Sequence, residues 1–238
     1  MTGIPAVIVF DVNETLSDMA PMAARFEEIG APPEMARLWF AALLRDGFAL
    51  AAAGDNVSFR EIGADVLRGL LGRWPQLKGP DEAVAHVMDG LGSLGLHPDV
   101  REGILALTAG GHRLVTLSNG SSGLADRLFT DARIRDSFEY LLTVEDAAAW
   151  KPARPAYEYA SSVCGAEPGA MCLVAVHPWD IHGASRAGML TVWLNRSRER
   201  YRSYFRAPDL VITDLRDLAA ALDSWSVPRP AGPPAPRD

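Results

Sequence analysis

Ala6-Val7-Ile8-Val9-Phe10-Asp11-Val12-Asn13-Glu14-Thr15 begins as an unbroken apolar run and stops at an aspartate. A run with no polar face, rich in β-branched residues, suits a strand buried on both sides, as in a parallel sheet covered by helices. Asp11 then stands at the carboxyl end of that strand. In open α/β sheets this rim is where sites form.

The pattern repeats further along the chain. Strands are expected at His112 to Ser118, around Leu141 to Val144, at Met171 to Val176, at Thr191 to Leu194 and at Leu210 to Ile212. Helical spacing occupies Val100 to Ala109, Gly123 to Ala132, Arg154 to Val163, Ile181 to Ala187 and Leu215 to Leu222. Strand and helix in alternation predict an α/β fold with a doubly wound, Rossmann-like parallel sheet. From about Met19 to Leu96 the periodicity is helical throughout. Pro32-Pro33 opens one segment, the capping box Ser58-Phe59-Arg60-Glu61 another, and Asp81 is the expected cap of a third. The organisation read from these signals is an α/β core over residues 1–17 and 97–225, a helical insertion over 18–96, and a proline-rich tail over 226–238 expected to be disordered.

Composition narrows the function classes. The 238 residues are 48% hydrophobic and 22% charged, an ordinary globular balance, with a net charge of −7. No long basic run is present, so neither nucleic acid nor an anionic membrane is an expected partner. No stretch approaches the roughly 18 apolar residues of a spanning helix, and Met1 to Phe10 lacks the basic start of a signal peptide. A cytoplasmic enzyme is expected, with Cys164 and Cys172 as buried reduced thiols.

The loops after the strands carry the chemistry. They read Asp11 to Thr15, Ser118-Asn119-Gly120, Trp150-Lys151-Pro152 and His177-Pro178-Trp179-Asp180. All four are expected at one rim, bringing a carboxylate, a hydroxyl with an amide, an ammonium and a second carboxylate into one cleft. Lys151 can keep a nucleophilic Asp11 ionised. Thr15 and Ser118 can orient its oxygens or hold an anion, and Asp180 can hold Lys151, position water or help ligate a metal. The bland alternatives are an Asp11 that only caps a helix, an Asp180 capping a helix from Ile181, and an Arg196 to Arg206 stretch that is a solvated loop.

In order and spacing, these four motifs resemble the haloacid dehalogenase superfamily over about residues 6 to 223, and the helical insertion is similar to its cap domain. Ser118-Asn119-Gly120-Ser121, Trp150-Lys151-Pro152 with Tyr157, and Trp179-Asp180 with Gly183-Ala184 resemble the type II 2-haloacid dehalogenases. The resemblance implies that Asp11 displaces halide from a small carboxylic acid and that water then cleaves the resulting ester, with no cofactor. The implied partners are a carboxylate substrate and a halide product, and a homodimer is expected. Catalytic roles fall to Asp11, Thr15, Ser118, Lys151, His177 and Asp180, and substrate contacts to Val12, Asn13, Phe40, Arg45, Asn119, Tyr157 and Trp179.

Several positions depart from the family pattern. Phosphatases of the superfamily carry an acid where Asn13 stands, and the dehalogenases carry tyrosine there. Glu14 replaces a usual glycine, and His177 replaces a usual asparagine, which suggests a base for the hydrolytic water. Phe40 occupies the place of a cap arginine, for which Arg45 is the expected substitute. The alternatives are a magnesium-dependent phosphatase, whose ion Asp11, Asn13 and Asp180 would hold, and a binding protein without turnover.

Overall fold

The computed structural model describes residues 5–72, 79–147 and 149–225, and the tail expected over 226–238 lies outside them. The strands are β1 (Val7–Phe10), β2 (Arg113–Ser118), β3 (Phe138–Thr143), β4 (Met171–Ala175), β5 (Leu190–Leu194) and β6 (Leu210–Ile212). They form one parallel sheet in the order β3-β2-β1-β4-β5-β6. The chain order reverses between β1 and β4. The crevice beyond their carboxyl ends is the topological switch point of a doubly wound sheet.

The helices are α1 (Met22–Glu28), α2 (Met35–Ala53), α3 (Phe59–Leu71), α4 (Pro80–Gly90), α5 (Val100–Ala109), α6 (Ser122–Asp131), α7 (Val144–Ala147), α8 (Arg154–Cys164), α9 (Pro178–Ala187) and α10 (Leu218–Asp223). The unbroken apolar character of β1 follows from its central place. Val7 and Val9 pack on one face with Tyr157 and Ala160 of α8 and Ile181 and Ala184 of α9. Ile8 and Phe10 pack on the other with Ile104 and Leu107 of α5 and Phe129 of α6. All four strand residues are fully buried, each worth about 1.5–3 kcal/mol of apolar transfer.

Helices α1 to α4 lie between β1 and α5 and share a cluster containing Phe26, Trp39, Leu43, Phe59, Leu67 and Val87. Trp150, the residue before Lys151, belongs to the same cluster. Its indole N–H donates to the Val57 carbonyl at 2.8 Å, and its ring stacks on Phe59 at 6.1 Å between centroids. A Cβ at Gly47 would stand 2.5 Å from that ring, so α2 can approach only because position 47 has no side chain. The lysine loop is therefore bolted to the helical insertion.

Three local expectations need correction. The Ser58 hydroxyl does accept from the Glu61 N–H at 3.2 Å, but α4 is capped at Gly79, with Pro80 at its first position, and Asp81 falls within the first turn. Helix α9 begins at Pro178 rather than Ile181, because proline's fixed φ suits a first helical position. Asp180 is thereby a first-turn residue and not the cap. The segment from Leu215 opens as a 3₁₀ turn, Leu215–Asp217, before α10. Cys164 and Cys172 are free and buried.

Candidate active site

Asp11 leaves β1 at the switch point with 3% of its surface exposed. The Lys151 ammonium donates to its Oδ1 at 2.9 Å, and the Thr15 hydroxyl to its Oδ2 at 2.7 Å. His177 places Nδ1 3.1 Å from the same Oδ2. Burial pushes the Asp11 carboxyl up, yet the Lys151 charge and the hydrogen bonds from His177 and Thr15 outweigh it, and the group sits well below the usual carboxylate range. Asp11 is thus ionised at any ordinary pH, as a carboxylate nucleophile must be.

The fully buried ammonium of Lys151 also meets Asp180 Oδ2 at 2.5 Å. Burial opposes its charge, but the two carboxylates more than restore it, so Lys151 stays protonated. The other oxygen of Asp180, Oδ1, accepts from the Tyr157 hydroxyl at 2.6 Å. A Cβ at Gly183 would stand 2.5 Å from that hydroxyl, which ties the glycine after Asp180 to this contact. Tyr157 is fully buried and engaged with Asp180, so it positions the acid. Substrate contact was the role expected of it; the contact it makes is the one with Asp180.

Asn119 spans the lysine loop from both sides. Its Oδ1 accepts from the Lys151 N–H at 3.0 Å and its Nδ2 donates to the Lys151 carbonyl at 3.3 Å. The Ser118 hydroxyl accepts from the Gly120 N–H at 2.9 Å, shaping the turn beside Asp11. A narrow hollow beside the Asp11 loop is lined by Val12, Asn13, Ser118, Gly120 and Ser121. A wider cleft of about 790 Å³ reaches Glu14, His177 and Phe40. Phe40 thus does face the cleft, as expected of a substrate-contact position. Trp179 contacts both the helical insertion and the lysine loop, 4.9 Å from Phe48 of α2 and 5.9 Å from the Lys151 ammonium.

Arg45 does not reach this cleft. Its side chain is 71% exposed and pairs with Asp46 at 2.8 Å. Five helical residues turn it about 140° away from Phe40. Arg37, one turn before Phe40, lines the cleft instead and was legible from the three-residue spacing.

Arg196 was also missed. It is not part of a solvated loop: it donates to the Thr15 carbonyl at 2.7 Å and pairs with Asp99 at 2.8 Å. The signal was present, because Arg196 follows the end of β5 at the same rim. With His97, whose Nε2 donates to the Glu14 carbonyl at 3.0 Å, it pins the nucleophile loop. That loop holds Glu14 at a φ of 61°, a left-handed conformation costing a side-chain-bearing residue about 1–2 kcal/mol. The Glu14 carboxylate in turn meets His177 Nε2 at 2.8 Å. Burial pushes His177 down, but bonds and charges from Asp11 and Glu14 more than reverse this and raise it to about 9. At neutral pH the ring is a cation donating from both nitrogens, so it is not a base while Asp11 is free.

The donor set does not fit a divalent ion held by Asp11, Asn13 and Asp180. Lys151 already occupies the space between the two carboxylates, and Tyr157 and Thr15 engage their other oxygens. Among the described residues, no group of three or more His, Cys, Asp and Glu side chains is set to hold a metal. None of the described helices is long and apolar enough to cross a membrane.

Known proteins share this architecture. The chain is 29% identical over 219 residues to an (S)-2-haloacid dehalogenase of Pseudomonas sp. (strain YL), covering 91% of this chain and 94% of that one. It is 27% identical over 207 residues to haloacetate dehalogenase H-2 of Moraxella sp. (strain B), covering 86% and 92%. A crystallised L-2-haloacid dehalogenase superposes with a TM-score of 0.86 at 26% identity, covering 93% of this chain and 100% of the other. The family model described as haloacid dehalogenase-like hydrolase matches residues 5–188. On that match, and on the rim built by Asp11, Lys151 and Asp180, the chain belongs to the haloacid dehalogenase-like hydrolases.

Proposed function

We propose that this chain hydrolyses the carbon–halogen bond of a small 2-haloacid. The observation that carries the reading is Asp11, kept ionised by Lys151 and Thr15 at the switch point and flanked by Asn13, which has no proton to give a leaving alkoxide. Halide needs no such proton. An Asp11 oxygen attacks carbon two, the carbon–halogen bond breaks, and its electron pair departs with the halide. Water then attacks the carbonyl carbon of the aspartyl ester, returning the carboxylate and releasing the 2-hydroxy acid.

Lys151 holds Asp11 in line and balances the charge that builds during attack. The Ser118-Asn119-Gly120 turn is assigned to the substrate carboxylate, and Val12, Phe40 and Trp179 to its apolar part. No cofactor enters this scheme, since the cation that aligns the two carboxylates is the protein's own. The named relatives act on 2-haloacids and haloacetate, which supports the same substrate class. A cytoplasmic location and a homodimer complete the reading. Leu38, 52% exposed on α2, is an apolar side chain that a second copy would cover.

The test is a panel of (S)- and (R)-2-chloropropionate, fluoroacetate and p-nitrophenyl phosphate, each assayed with magnesium and with a chelator. Halide release that persists in chelator is expected. Phosphate release that requires magnesium, with no halide from any haloacid, contradicts the proposal.

A further inference from the structure

Two positions where this chain departs from the family pattern are in contact with each other. Glu14 stands for a glycine and His177 for an asparagine, and their side chains meet at 2.8 Å. They lie on different loops, one after β1 and one after β4, which the strand order places side by side. Glu14 holds its left-handed conformation although it carries a side chain. That conformation, pinned through the Glu14 carbonyl, aims the carboxylate at the imidazole. The other nitrogen of the ring faces the Asp11 carboxylate at 3.1 Å, and one ring face is covered by Trp179 at 4.9 Å. Glu14 is 42% exposed at its side chain while His177 is 11% exposed, so the pair runs from the buried nucleophile out to the cleft.

We propose that His177 Nδ1 takes the proton of the water that hydrolyses the aspartyl ester, and that Glu14 orients the ring and keeps the other proton on Nε2. This deepens the dehalogenase reading and rests on it. In the resting enzyme the imidazolium is held by two carboxylates. Esterification of Asp11 removes one of those charges, and the ring gives its Nδ1 proton to water in the cleft while its Nε2 proton stays hydrogen-bonded to Glu14. Neutral His177 then accepts a proton from water as the hydroxide oxygen bonds to the ester carbonyl carbon. The bond from that carbon to the alkyl-bearing oxygen breaks, and the leaving alkoxide takes the proton back from His177. The new Asp11 carboxylic acid protonates His177 and restores the starting ion pair. The sum is haloacid plus water giving hydroxy acid, halide and one proton, and that proton leaves Nδ1 for the cleft. An asparagine at position 177 cannot take the proton of water, and a glycine at position 14 cannot hold the ring in the tautomer that leaves Nδ1 free.

The dyad is tested by rapid quench with enzyme in excess over (S)-2-chloropropionate, following halide release and, by mass spectrometry, the ester on the Asp11 peptide. Wild type is expected to form and clear the ester. His177→Asn is expected to release halide in a stoichiometric burst and then clear the ester about 10²–10⁴-fold more slowly. Glu14→Gln is expected to slow clearance about tenfold with the burst retained. Wild-type ester clearance should also rise as the pH is raised over the range in which an imidazole deprotonates. Equal clearance in wild type and His177→Asn overturns the dyad alone, and so does wild-type clearance independent of pH. No halide release by wild type overturns the dehalogenase reading itself.

Discussion

The Lys151 ammonium is shared between Asp11 at 2.9 Å and Asp180 at 2.5 Å, with all three groups buried. Neither carboxylate would stay ionised there alone, since burial of an unpaired charge is too costly. Replacing Lys151 with Met keeps the bulk and removes the charge. Halide release is expected to fall by at least about 10²–10³-fold, with about 3–5 kcal/mol lost in stability from the uncompensated carboxylates. On acidification, any residual activity should also fail at a higher pH than in wild type, because the Lys151 charge is a main cause of the lowered Asp11 pKa. A pH profile of halide release, with urea unfolding of the same variant, checks both.

His177 makes stability depend on pH in a defined direction. The folded protein raises this group from 6.5 to about 9, so the native state binds the proton more tightly than the unfolded chain. Its contribution is complete below about pH 6.5 and is lost as the pH climbs through about 9. The effect is on the order of 1–3 kcal/mol, given the 1.36 kcal/mol that each pKa unit is worth. Thermal unfolding measured from pH 6 to 10 should show a falling midpoint over that window, and the fall should flatten in His177→Asn. An unchanged slope in the variant would assign the loss to other groups.

Gly183 leaves room for Tyr157 to reach Asp180. A methyl group at position 183 would come 2.5 Å from the Tyr157 hydroxyl and 2.7 Å from Pro152 Cβ, so Gly183→Ala must displace the acid-holding contact or the lysine loop. About 1–3 kcal/mol of destabilisation is expected, together with reduced halide release. Tyr157→Phe removes the hydroxyl that meets the methyl group. The double variant should therefore lose less stability than the sum of the two single losses, and strict additivity in chemical denaturation would contradict this packing.

The sheet and the placement of Asp11, Lys151 and Asp180 were legible because each follows a strand, and strands announce themselves through local apolar runs. Ser118 and Asn119 were found by the same rule. What stayed hidden depends on approach between distant segments. Tyr157 was named for substrate contact, and its bond to Asp180 appears only once α8 packs on α9. Arg196 lies in a basic stretch whose bland reading is solvent. Arg45 was expected to supply a cation near Phe40, whereas Arg37, at helical spacing on the other side of Phe40, is the one that lines the cleft. Glu14 and His177 were each visible as departures from the family pattern, yet their contact appears only once β1 and β4 are neighbours.

The central claim is that Asp11 is the nucleophile. Turnover of (S)-2-chloropropionate in ¹⁸O-water, followed by mass spectrometry of the Asp11 peptide and the product, tests it most directly. In a single turnover the hydroxyl oxygen of the product should be ¹⁶O and derive from Asp11, and over many turnovers the Asp11 carboxylate should acquire ¹⁸O. Product labelled with ¹⁸O in the first turnover, with Asp11 left unlabelled, would mean that water attacks the substrate directly and would contradict the account.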